Sequence, residues 1–136
     1  MSFAMSGPLQ RAVYDALSAD SVLGMIVGSA IYDAVPTGIL PAIYVRLGSE
    51  EVKDASDGSG AGAVHRFTVS VITSSPGFAQ AKEAAAAISD TLHNGNFTLS
   101  RGRLVSLRFE RAKASRVEAA ATRQIDLRFA ARVQDD

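Results

Sequence analysis

Hydrophobic positions along this chain switch between helical spacing and strict alternation. After Gly7-Pro8, the residues Leu9, Val13, Ala16 and Leu17 recur every three to four positions, which predicts a helix from about Pro8 to Ala19 with proline in its first turn. Asp20 or Ser21 can cap a second short helix over residues 22–27, which Gly28 ends, and its Val22, Leu23, Met25, Ile26 and Val27 are expected in the core. Between Ser29 and Glu50 lie two short strand candidates. The first holds Ile31 and Val35; in the second Ile43, Val45 and Leu47 alternate with Tyr44 and Arg46, and Pro36, Gly38 and Pro41 mark the bend between them.

Residues 49–62, S-E-E-V-K-D-A-S-D-G-S-G-A-G, offer Val52 as their one strongly apolar side chain, so a mobile loop is expected there. It reads either as a permissive surface insertion within a hairpin or as an arm that orders against a partner. From Ala63 to Thr73 alternation returns, with Phe67, Val69 and Val71 opposite Arg66, Thr68 and Ser70. Ser75-Pro76 looks like a helix start, Phe78, Ala81, Ala85, Ile88 and Leu92 form an apolar stripe, and Asn94-Gly95 ends the helix. Strands follow over 97–99, 103–110 and 123–133, with Arg101-Gly102 as a tight connection. Val105, Leu107 and Phe109 alternate with Ser106, Arg108 and Glu110, and Ile125, Leu127, Phe129 and Val133 with Gln124, Asp126, Arg128 and Arg132. Residues 111–122 read as a second long mobile loop projecting beyond the sheet edge. The expected fold is a single α+β domain over residues 1–136, a two-layer sandwich of a mainly antiparallel sheet with helices packed on one face.

At 136 residues the chain is large enough for one hydrophobic core, and with no cysteine it has no disulfide framework, zinc-thiolate site or thiol nucleophile. Its beginning lacks a basic stretch followed by an apolar core, and no apolar run reaches membrane-spanning length. A soluble, unprocessed protein with no membrane association is expected. The 14 basic and 14 acidic residues cancel, which disfavours nucleic-acid binding by gross charge. Their distribution is uneven: residues 1–100 carry 5 Lys/Arg against 9 Asp/Glu, and residues 101–136 carry 9 against 5. That division is read either as charges scattered over one surface or as a basis for charge-complementary self-association.

Catalytic chemistry finds little footing. His65 and His93 fit no metal-binding spacing and suit structural roles, and Ser74-Ser75 is better placed to cap a helix than to attack a substrate. Gly58, Gly60 and Gly62 open no helix, so they make no phosphate cradle. Glu50, Glu51, Asp54 and Asp57 fall in a glycine-rich loop that lacks the fixed, desolvated geometry acid-base catalysis needs. No enzyme and no cofactor are expected. Arg108, Arg128 and Arg132 share the polar sheet face, where loose contact with DNA phosphates is open to them, while Phe109 and Phe129 are expected to point coreward and so cannot stack on bases.

The segments A-I-Y-D-A-V-P, P-A-I-Y-V-R-L-G, V-H-R-F-T-V-S-V before an Ala-rich helix, and G-R-L-V-S-L-R-F, with the acid/glycine loop, together resemble the tail-terminator family of long-tailed bacteriophages and gene transfer agents. The resemblance spans essentially the whole chain and is especially to the Ala-rich versions from phage-like gene transfer particles and related prophages. It implies a structural virion protein at the head-tail junction, made in the bacterial cytoplasm. Such a protein forms a homo-hexameric ring on the tail tube protein, stops tube growth and meets the head-tail connector or stopper protein, with DNA passing transiently and non-specifically through the lumen. Loops 49–62 and 111–122 match those that reach neighbouring subunits and the tube, making Glu50, Glu51, Asp54, Asp57, Arg111, Lys113 and Arg116 interface candidates. Arg108, Arg128 and Arg132 become candidates for DNA contact in the lumen. The competing readings are a head-completion stopper or minor tail protein and, from a different class, a small α+β ligand carrier or enzyme.

Overall fold

A computed structural model describes residues 3–56 and 60–135. A 3₁₀ turn, Phe3–Met5, leads into α1 (Ser6–Ala19), which buries Leu9, Val13 and Leu17 along one stripe. The Asp20 carboxylate accepts the Leu23 N–H at 2.9 Å and so starts α2 (Ser21–Val27), and Gly28 ends it. Only Leu23 and Val27 of α2 are buried. Val22 and Met25 are 57% and 87% exposed, which corrects the expectation of an all-core segment: two turns over a sheet can bury only one stripe.

Five strands make one sheet in the order β1-β2-β3-β5-β4. The short β1 (Ile31–Tyr32) runs parallel to β2 (Ile43–Asp54); every other pairing, through β3 (Ala61–Thr73), β4 (Arg103–Val117) and β5 (Thr122–Asp135), is antiparallel. All three helices, including α3 (Ala79–Leu92), cover one face, giving the expected two-layer α+β arrangement. The main core lies between them. Its centre is a ladder of rings: Phe67 stacks on Phe129 with centroids 5.6 Å apart, and Phe109 meets the other side of Phe129 edge-on at 5.8 Å.

The two expected long loops are largely strand. Residues 50–54 pair with 63–67 and residues 111–117 with 122–128, where the second hairpin closes through the short turn Glu118–Ala121. Cross-strand backbone bonding carries these arms even where side chains bury little, and composition alone does not register it. Bulges also shift parity. The register of β2 slips between Leu47 and Glu50, so Ile43 and Val45 point to the core before the slip and Glu50 and Val52 after it. A Cβ at Gly48 would stand 3.3 Å from the Thr68 carbonyl, a close approach that favours glycine at the slip. In β4, slips between Leu104 and Ser106 and between Phe109 and Arg111 leave Val105 on the surface in place of the expected core position, and Phe109 37% exposed. Residues 97–99 form no strand, though Leu99 is buried with Met5, Ala63 and Val133. Helix α3 begins at Ala79, three residues after Pro76, because Gly77 adopts a left-handed backbone (φ 83°) that helix geometry does not admit. At its other end Asn94 (φ 59°) turns the chain out of the helix.

Candidate assembly surface

The face of the sheet away from the helices is where the candidate residues gather. Arg66 and Thr68 of β3 stand in register with Ala130 and Arg128 of β5, and Arg108 and Arg111 of β4 with Ala130 and Arg128, so all of them share one side. Arg132 and Lys113 join them through Val64 and Asp126, and Arg46 through Ser70. Arg108, Arg128 and Arg132, read from alternation as one face, therefore do lie together.

Two carboxylates organise this surface. Glu110, displaced outward at the second β4 slip, accepts from the Arg66 Nε at 3.1 Å and lies 3.5 Å from the Arg128 Nε. Asp126 accepts the Ser70 hydroxyl at 2.5 Å and the Gln124 amide at 2.8 Å, which fixes it in the middle of the face. Arg46, Arg108, Arg111 and Lys113 have no carboxylate partner among the described residues. A groove of about 680 Å³ runs between the β2 and β4 sides, with Arg46, Arg111, Lys113 and Arg128 around the fixed Asp126. Such a surface holds net positive charge with room for an extended acidic chain or a phosphate backbone.

The acidic candidates divide. Glu50 lies inside: it accepts the Ser6 hydroxyl and faces the buried Nδ1 of His65 at 3.4 Å, beneath the start of α1. The slip in β2 puts it there, and no periodicity in the sequence marks that slip. Glu51 is exposed on the open face opposite Arg66. Asp54 is on the arm, where the Ser56 hydroxyl, at 2.8 Å, holds its carboxyl below the usual aspartate range. Asp57 lies outside the described residues. Arg116 is opposite Arg123 and so on the helix side of the sheet, away from Arg111 and Lys113. The six interface candidates among the described residues are thus distributed over both faces and both hairpins.

Serine, glutamate and histidine side chains meet in the Ser6-Glu50-His65 cluster, but their order does not activate a nucleophile: the Ser6 hydroxyl donates its hydrogen bond to the carboxylate and makes none with the imidazole. The His65 Nε2 is buried without a hydrogen-bond partner among the described residues. His93, on the surface, accepts the Phe109 N–H through Nδ1 at 3.0 Å. Among the described residues no group of three or more His, Asp or Glu side chains is arranged to hold a metal ion, and no helix is long and apolar enough to cross a membrane.

A sheet covered by helices on one side, with a charged open face on the other, defines a two-layer module of the α+β class. The chain belongs to the family of tail completion protein gp17, whose model matches residues 11–134. It is also similar, at 61% identity and a TM-score of 0.93, to a chain in a structure of the virion of a native gene transfer agent particle; the similarity covers 98% of this chain and 99% of that one. Comparison with curated proteins gave no match. Tail completion is a structural role in a virion.

Proposed function

We propose that this chain is a virion component at the head-tail junction of a phage-like particle, where it caps the tail tube as a ring, ends tube polymerisation and offers the surface that joins the tail to the head connector. The observation that carries the reading is the 61% identity to a chain of a gene transfer agent virion along nearly the full length of both. The fold supplies compatible parts: a sheet backed by helices, and two hairpins that close at opposite ends of it. Copies associate with themselves through Glu50, Glu51, Asp54, Asp57, Arg111, Lys113 and Arg116, and the same arms touch the tube protein. Glu50 acts from inside, by holding the β2 arm against Ser6 and His65. Arg108, Arg128 and Arg132 face the lumen, where loose phosphate contacts let DNA pass without arresting it.

Electron microscopy of particles from a producing strain that lacks this gene tests the proposal against the complemented strain. Unjoined heads and free tubes of uncontrolled length are the expected result. Normal tailed particles would overturn it, and tubes of normal length that fail to join would transfer the role to a head-completion protein.

A further inference from the structure

Both outer edges of the sheet are closed only in part. Strand β4 is shielded at Leu107, whose carbonyl accepts the Asn94 N–H at 2.8 Å, and at Phe109, whose N–H is taken by His93. Beyond its second slip, from Arg111 to Val117, no backbone hydrogen bond between described residues reaches its outer side. Strand β2 is covered by β1 from Val45 to Leu47, where the parallel ladder ends; from Gly48 to Lys53 its outer side is likewise without a backbone partner among the described residues. Each free stretch carries a row of N–H and C=O groups able to accept another strand.

Their charges differ in sign where they matter. The β4 stretch presents Arg111 and Lys113 on the open face and Arg116 on the helix side; the β2 stretch presents Glu51 and, at its far end, Lys53 on the open face, and on the helix side Glu50, whose carboxylate is already engaged by Ser6 and His65. Two β4 edges brought together would set Arg and Lys against their like, which is destabilising across strands. A β4 edge against a β2 edge is complementary at its centre, where Lys113 meets Glu51.

We infer, building on the ring reading above, that copies of this chain join edge to edge: the stretch from Arg111 to Arg116 of one copy adds as an antiparallel strand to the stretch from Gly48 to Lys53 of the next. Strands β2 and β4 already run antiparallel within the sheet, so the addition continues its alternation. With Glu51 opposite Lys113, Ala112 faces Val52 on the helix side and Arg116 lies diagonal to Glu50. Arg111 then meets Lys53 at the exposed end of the pairing, where solvent screens them.

The positions of the free stretches favour closure. Lys113 is level with Ser70 of β3, through Asp126, while Glu51 is level with Arg66. That offset is roughly four residues, or about 14 Å along the strands, over four strand spacings of about 19 Å in all. Edge pairing therefore inclines the strands by about 36° to the ring axis, within the range that closed sheets adopt. The contact is heterologous, so it propagates in one direction and closes when the rotation permits.

The absence of cysteine makes the test clean. In particles assembled with the Lys113→Cys, Glu51→Cys double variant, mild oxidation is expected to yield a disulfide-linked ladder of this protein. Ala112→Cys with Glu51→Cys, whose side chains lie on opposite faces, should yield none. For particles that reject the variants, hydrogen exchange on the unmodified protein decides: amides in 111–116 should slow at least tenfold on assembly relative to the isolated protein. Incorporated double variant that stays unlinked, equal linking by the Ala112 control, or unslowed exchange in particles that contain the protein would each overturn edge pairing. None of those results would disturb the tail-completion role, which fails only if particles lacking the gene are normal.

Discussion

The backbone N–H of Phe109 donates to Nδ1 of His93 at 3.0 Å, so a side chain from the end of α3 takes the place a neighbouring strand would occupy beside β4. Together with the Asn94-Leu107 bond it confines the open part of that edge to the residues after Arg111. Replacing His93 with Ala should cost about 1 kcal/mol in chemical denaturation, the net value of one hydrogen bond. The Phe109 amide should exchange faster while those of the β3-β5 pairing do not change.

Phe129 is fully buried between Phe67 and Phe109, and Phe109 is partly exposed. Phe129→Ala is expected to destabilise by about 3–5 kcal/mol, as for other large core truncations. Phe109→Ala should cost clearly less. Equal losses in equilibrium unfolding would mean that the β4 ring contributes as much packing as the central one.

Glu50 accepts from Ser6 and faces His65 under α1, so Glu50→Ala leaves two buried polar groups without that acceptor. A loss of about 1–3 kcal/mol is expected, against less than about 0.5 kcal/mol for Glu51→Ala on the open surface. Thermal unfolding of the two variants would separate a structural carboxylate from a surface one that its neighbour in sequence closely resembles.

How much of this was legible follows from such pairs. The alternation of Val69 with Ser70 and of Leu127 with Arg128 disclosed the sheet's two faces, and the Leu9-Val13-Leu17 stripe disclosed α1, because period and burial agree there. The arms were not legible: Ser49 to Asp54 and Arg111 to Val117 are held by backbone bonding to a partner strand, which leaves no apolar period behind. Glu50 and Val105 were misplaced for a different reason. A bulge changes which parity faces inward, and the residues around it carry no mark of the change. The open-face cluster of Arg108, Arg128 and Arg132 could be read from alternation, whereas Glu110 as the clamp between Arg66 and Arg128 required the pairing of distant strands.

Arg101 binds Asp135 through Nη2 at 2.8 Å, and its guanidinium holds the Asp135 carboxyl below the usual aspartate range. A carboxyl with a folded-state value below its unfolded one, about 4, contributes stability that is present above that value and lost as pH falls through the folded one. Arg101→Gln should therefore flatten the acid limb of the stability curve below about pH 4. Stability near neutrality should shift little, since the pair is exposed. An unchanged acid limb would remove the pair from the account.

On the open face, Arg108, Arg128 and Arg132 should act through charge alone. The triple change to Ala is expected to lower the salt needed to elute the protein from a DNA column, and Glu110→Gln to raise it, because that carboxylate neutralises Arg66 and Arg128. Retention that ignores both changes would take the polyanion contact off this face.

The slip between Leu47 and Glu50 makes the length of β2 as constraining as its chemistry. Deleting one residue at the slip would heal the bulge and keep Glu50 and Val52 under α1, whereas deleting both Gly48 and Ser49 would carry Glu51 and Lys53 under α1 and cast Glu50 and Val52 into solvent. Relatives without the bulge should therefore be one residue shorter between Leu47 and Glu50, while any other change of length within the strand should come in even steps. The extra residue is one the strand can lose alone but not together with its neighbour.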